Sequence, residues 1–203
     1  MRPPIYQADT ITALIESAHV TGPTRRALQA RLATAAQEPA RHLEPAAFIT
    51  LQAICERLIP QPERNPPIAV AQGIDARLRS GQGKGWRWAA TPPQDEAWRQ
   101  GLQAVDASAQ ALFAEPFHLL NGGQQDAVLR AIQDGSAPAQ AWLSLSPGLF
   151  FEELLATATE IYYAHPLAQE EIGYAGMADA AGWHAIGLDQ LDAHEPRPRA
   201  DDA

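Results

Sequence analysis

The chain has 203 residues, 46% of them hydrophobic, which is enough for one real core and excludes bulk disorder. Its formal charge of -9 and pI near 5.0 argue against non-specific binding to nucleic acid or to anionic lipid, since either polyanion meets a repulsive mean field. No basic stripe offsets that field, because Lys84 is the only lysine and the arginines are scattered as Arg25-Arg26, Arg31, Arg77-Arg79 and Arg87.

All the strong periodicities are helical. Ile11, Leu14, Ile15 and Ala18 follow the i, i+3, i+4, i+7 rule, which predicts a short first helix capped by Asp9 or Thr10 and stopped at Gly22-Pro23. Thr24 is read as the cap of a second, half-exposed helix with Leu28, Leu32 and Ala35 on one side. The third is the best marked: Glu44 at the N-cap, Pro45 at the first helical position, and Leu43 placed to staple onto Phe48. Its apolar face runs through Phe48, Leu51, Ile54, Cys55, Leu58 and Ile59 to a stop at Pro60. Val70, Ile74 and Leu78 predict a helix from about Ile68 to Arg79, broken by the glycine run from Gly81 to Gly85.

Trp98, Leu102, Val105, Ala109 and Leu112 alternate spacings of four and three, the pattern of a core-facing central helix of about five turns. Asn121-Gly122-Gly123-Gln124 has the form of a capping box ahead of Val128, Leu129 and Ile132. Ser146-Pro147 starts the last long helix, whose face of Phe150, Phe151, Leu154, Leu155, Ala158, Ile161 and Tyr162 ends at His165-Pro166. Nothing reads as a β-strand, so the fold class is all-α: a compact multi-helix domain with an irregular glycine- and aromatic-rich C-terminal segment. The division expected is a helical pair over 1–40, a main helical domain over 41–196 and a disordered tail over 197–203.

Chemistry is sparse. A single cysteine, Cys55, excludes an internal disulfide framework and a multi-cysteine metal or iron–sulfur site, and its place on an apolar helix face predicts a buried, inert thiol. The six histidines are dispersed, with no pair at metal-gripping spacing on one helix face. Adjacent Glu152 and Glu153 point about 100° apart on a helix, so general acid–base work between them is a poor fit. The glycine run lacks the G-x-x-x-x-G-K-[ST] spacing of a P-loop, Ser144 to Pro147 reads as a helix cap, and there is no C-x-x-C-H haem attachment site. No catalytic residues, no metal and no cofactor are therefore expected on this chain. The N-terminus shows no signal-peptide or twin-arginine pattern and no stretch is apolar enough to span a bilayer, which predicts a soluble chain without direct membrane insertion.

What remains is a bunched set of large amphipathic groups after residue 160. Tyr162, Tyr163, His165, Pro166, Tyr174, Met177, Trp183, His184 and Ile186 lie on or beside the one long irregular segment, and tyrosine and tryptophan are typical interface anchors. These nine are the candidate partner-binding residues. The competing reading of each ring is that it fills the chain's own core. A different class of function, a stand-alone metal- or ligand-binding helical protein, would use His165, His184, Asp179 and Glu195; a third, a free-standing helical scaffold, would use the same surface for another partner.

The run Phe48-x-x-Leu51-x-x-Ile54-Cys55-Glu56-Arg57-Leu58-Ile59-Pro60, with Gly73-Ile74-Asp75, Phe150-Phe151-Glu152-x-Leu154-Leu155, Tyr162-Tyr163-Ala164-His165-Pro166, Ile172-Gly173-Tyr174 and Gly182-Trp183-x-x-Ile186-Gly187, resembles the gluconate 2-dehydrogenase subunit 3 family over roughly residues 45 to 196. The resemblance implies a small, or gamma, subunit accompanying a large FAD-carrying subunit of the glucose–methanol–choline oxidoreductase type. In such complexes a c-type cytochrome carrying haem c often joins as a third subunit. The implied role is binding, stabilising and helping to mature the sugar or sugar-acid dehydrogenase. Many members carry a twin-arginine signal that exports the folded pair to a periplasmic or membrane-associated complex, and that signal is missing from this sequence.

Overall fold

The computed structural model describes residue 6 and residues 9–33, 42–81, 83, 85, 91–143, 145–177 and 182–197. Among them are eight α-helices and two 3-10 turns, with no strand, so the all-α expectation holds. None of the described helices is long and apolar enough to cross a membrane. By internal contacts the chain divides into two units, Ala36–Ile161 and a second made of Met1–Ala35 together with Tyr162–Ala203.

In the larger unit the helices are α3 (Pro45–Leu58), α4 (Val70–Ser80), α5 (Gln94–Phe113), α6 (Gly122–Gln133) and α7, which spans Pro147–Tyr163 and gives this unit its part up to Ile161. α5 is central, as its spacing predicted: it packs on α3, on α6 and on both 3-10 turns. Trp98, Leu102, Val105 and Ala109 are sealed along its inner face, while Leu112, expected on the same stripe, is exposed. The helix itself closes at Ala114, which takes the left-handed conformation, φ 60. α7 approaches α5 closely where Gly101 faces the Phe150 ring; a Cβ there would overlap it. Phe150 meets Trp98 edge-on at 5.8 Å, and Trp142 donates its indole N–H to buried Ser108 at 3.0 Å.

Polar groups set the ends of these helices. Asn121 Oδ1 accepts from Gln124 N–H at 3.1 Å and Gln124 returns the bond to Asn121 N–H, the predicted capping box. Asp75, buried on α4, accepts from Leu43 N–H at 2.8 Å and His42 N–H at 3.3 Å and so fixes the chain entering α3. Arg57 makes a two-pronged ion pair with Asp126 that joins α3 to α6. His42 bonds Asp95 in the first turn of α5, and this bond before any other cause holds the Asp95 carboxyl below its ordinary range. Cys55 is buried as expected: desolvation, helped by neighbouring Glu56, pushes its thiol up to about 12.

The smaller unit holds α1 (Thr10–Glu16), α2 (Gly22–Ala33), the last two residues of α7 and α8 (Pro166–Glu171). Here the helix boundaries differ from the sequence reading. α1 ends at Glu16 because Ser17 Oγ donates to Leu14 O at 2.7 Å, leaving Ala18 outside the helix and exposed, with Val20 buried in its place. Gly22-Pro23 opens α2 instead of stopping α1, since proline's missing N–H costs nothing in a first helical turn. Asp9 makes no cap bond; the carboxylate that caps α1 is Glu170 of α8, which accepts from Ile11 N–H at 3.0 Å and Thr10 Oγ1 at 3.4 Å. At the other end Arg25 donates to the carbonyls of Ile15, Ser17 and Val20. Ile11, Leu14, Ile15, Val20, Leu28 and Ala175 form the core of this unit, with Leu32 and Met177 packed against it.

Candidate interaction surface

The C-terminal segment is built from three consecutive devices. α7 closes on Tyr162 and Tyr163, whose rings meet edge-on at 5.1 Å; Tyr162 is buried and donates its hydroxyl to Glu171 at 2.6 Å, while Tyr163 is exposed. The sequence His165-Pro166 then starts α8, a helix absent from the sequence reading. His165 Nδ1 accepts the N–H of Leu167 at 3.3 Å as its N-cap, and Pro166 occupies the first position. Both signals are local to His165-Pro166, the same pair that ends α7 in the sequence pattern.

α8 stops at Gly173, whose φ of 65 and whose contact with the Tyr6 ring both demand glycine. Tyr174 N–H donates back to Gln169 O at 2.9 Å, and its ring is left half in solvent. Met177 turns inward to the α1–α2 core.

Residues 183–195 are folded back on themselves. The Asp192 carboxylate accepts from Ala185 N–H at 2.9 Å and His184 N–H at 3.1 Å; its own N–H donates to Glu195 at 2.6 Å. Gln190 accepts from Gly187 N–H at 3.3 Å. The hydrogen bond from His184 N–H, then that from Ala185 N–H, keeps the Asp192 carboxyl below the ordinary aspartate range. Trp183 lies nearly parallel to His194 at 5.7 Å, and His194 stacks on His19 at 4.9 Å.

The nine candidate residues thus part company. Tyr162 and Pro166 are interior, and Met177 and His165 are half-buried with structural duties. Tyr163, Tyr174, Trp183, His184 and Ile186 are exposed. Leu188, Ile172 and Leu191, which are not among the nine candidates, join them; Leu188 is 93% exposed. Among the described residues, seven of the twelve exposed large apolar side chains fall between Tyr163 and Leu191, so exposed apolar groups are concentrated in this part of the chain.

His165 is a helix cap, His194 is sandwiched between rings, and Glu195 is engaged by a backbone N–H; Asp179 lies outside the described residues. Among the described residues no group of three or more histidine, cysteine, aspartate or glutamate side chains could hold a metal ion.

The family model for Gluconate 2-dehydrogenase subunit 3 matches residues 45–188, more than half of the chain, and the protein belongs to that family of dehydrogenase-complex subunits. Compared with curated proteins and with solved structures, the chain matches none.

Proposed function

We propose that this protein is a non-catalytic accessory subunit that binds, stabilises and helps mature an FAD-dependent dehydrogenase of the glucose–methanol–choline type. The FAD belongs to that large subunit, and haem c to a c-type cytochrome where one completes the complex. What supports the reading is a single observation: Trp183, Ile186 and Leu188 are held out in solvent by a backbone that polar side chains have already fixed. Preorganised apolar groups of this kind bind without a large ordering cost.

Co-expression with a flavoprotein large subunit followed by affinity capture tests it, with a stable complex and a larger soluble yield of flavoprotein as the expected result. In that complex Trp183→Ala weakens binding by about 2 kcal/mol, the size of an interface anchor. No complex and no change in flavoprotein solubility would remove the proposal.

A further inference from the structure

Beside the stacked rings the smaller unit contains a cleft of about 340 Å³, within the size range of side-chain and small-ligand sites. Its floor is apolar, made by Ile11, Ala13, Leu14 and Ala175, and its walls carry Glu170, Glu195, Tyr174, His19 and His194. Two acidic residues therefore line one largely apolar slot. Among the described lining residues there is no arginine or lysine to balance them, and the nearby Arg25 guanidinium is taken up by the carbonyls that end α1.

Each carboxylate spends one oxygen on the fold: Glu170 Oε2 takes the Ile11 N–H, and Glu195 Oε2 takes the Asp192 N–H. The Oε1 of each has no hydrogen bond among the described residues. An anionic occupant would meet two carboxylates with no arginine or lysine among the described lining residues to offset them. A wholly apolar one would strip water from both carboxylates and return no hydrogen bond. A chain with an apolar stem and a cationic end satisfies both surfaces. The planar guanidinium suits this geometry better than an ammonium, because it can fork to carboxylates and lie against aromatic rings at once.

We propose that this cleft receives an arginine side chain from the surface of the partner protein, beside the Trp183 anchor. The inference rests on the docking role proposed above and adds the chemistry of one contact. His194 ties the two features together, since it lines the cleft and stacks on Trp183.

The test is a titration of the full chain with N-acetyl-arginine amide, followed by NMR signals of the His19 and His194 imidazoles and the Trp183 indole. N-acetyl-citrulline amide, neutral and of the same shape, is the control. The expected result is a saturable shift with the arginine probe and about tenfold weaker binding of citrulline, the loss of a charge-assisted contact. Glu195→Gln and Glu170→Gln each keep an acceptor for the backbone N–H they serve and remove the charge; either should weaken the arginine probe at least about threefold, the low end for a partly exposed charge contact. Equal binding of citrulline, or no saturable shift at these rings, overturns the inference.

Complex formation separates the two proposals. If Trp183→Ala weakens the complex and the Glu170→Gln/Glu195→Gln double variant does not, the cleft assignment falls and the docking role stands. If no complex forms at all, the docking role falls and takes the partner's arginine with it.

Discussion

The helical body over 36–161 and the loop over 183–195 keep their shapes by opposite means. In the body, Trp98, Phe117, Leu51 and Ile54 are sealed from water, and polar groups such as Asp75 and Asn121 only finish the helix ends. In the loop the backbone is shaped by carboxylate and amide acceptors, Asp192, Glu195 and Gln190, while Ile186 is 85% exposed. An apolar side chain that its own fold does not bury is available to another chain, and that difference is what supports the docking role proposed for the loop.

The contrast predicts a graded series of effects on the stability of the chain. Trp98→Ala should cost about 3–5 kcal/mol in chemical unfolding followed by helical circular dichroism, the range for deleting a large buried ring. Trp98→Phe should cost clearly less, because the indole N–H it removes has no partner among the described residues; an equal loss would mean that the N–H matters more than the ring.

Asp75→Ala should cost about 1–3 kcal/mol by the same measurement, since it strands the buried Leu43 N–H. A change near zero would show that the entry to α3 is held by packing alone.

Acid should act on the loop before the body. Asp192 has its carboxyl held below the ordinary range by backbone N–H donors, so its contribution is complete above the unfolded aspartate value and is lost as the pH falls through the folded one. Hydrogen exchange at the His184 and Ala185 amides should therefore lose its structural protection in that acid window, with the helical signal of the body unchanged. Asp192→Asn should abolish the pH dependence and leave both amides less protected at neutral pH. Simultaneous loss in loop and body would erase the distinction between the two regions.

The smallest effect belongs to Trp183→Ala, which should leave stability within about 0.5 kcal/mol of the parent, as expected for an exposed position. Its larger effect is expected in the proposed complex. A loss of more than about 1 kcal/mol in the free chain would show the ring to be part of the core, against its observed exposure.

Much of the helical body was legible from residue spacing. The period of α5 through Trp98, Leu102, Val105 and Ala109 placed those four inside, and Asn121 with Gln124 marked the start of α6 because a capping box is satisfied by residues three apart. Legibility failed where the partner of a group is distant in sequence. Nothing near Thr10 announces that Glu170 caps α1, or that its neighbour Glu171 accepts from the Tyr162 hydroxyl. Of the candidate surface, the segment was readable as aromatic and irregular; which of its residues face outward was not, since Tyr162 and Tyr163 are neighbours with opposite fates.

The amino-acid sequence by itself determined the helical class, the positions of most helices and the family, because periodicity, caps and proline act over a few residues and are written in order along the chain. Only the tertiary structure decided that Asp192 and Glu195 hold the C-terminal loop, that Tyr162 and Pro166 turn inward, and that an apolar cleft with two carboxylates opens beside Trp183. Those outcomes depend on which backbone donors and which vacant volume arrive next to a side chain, and that is settled by packing between elements far apart in the sequence.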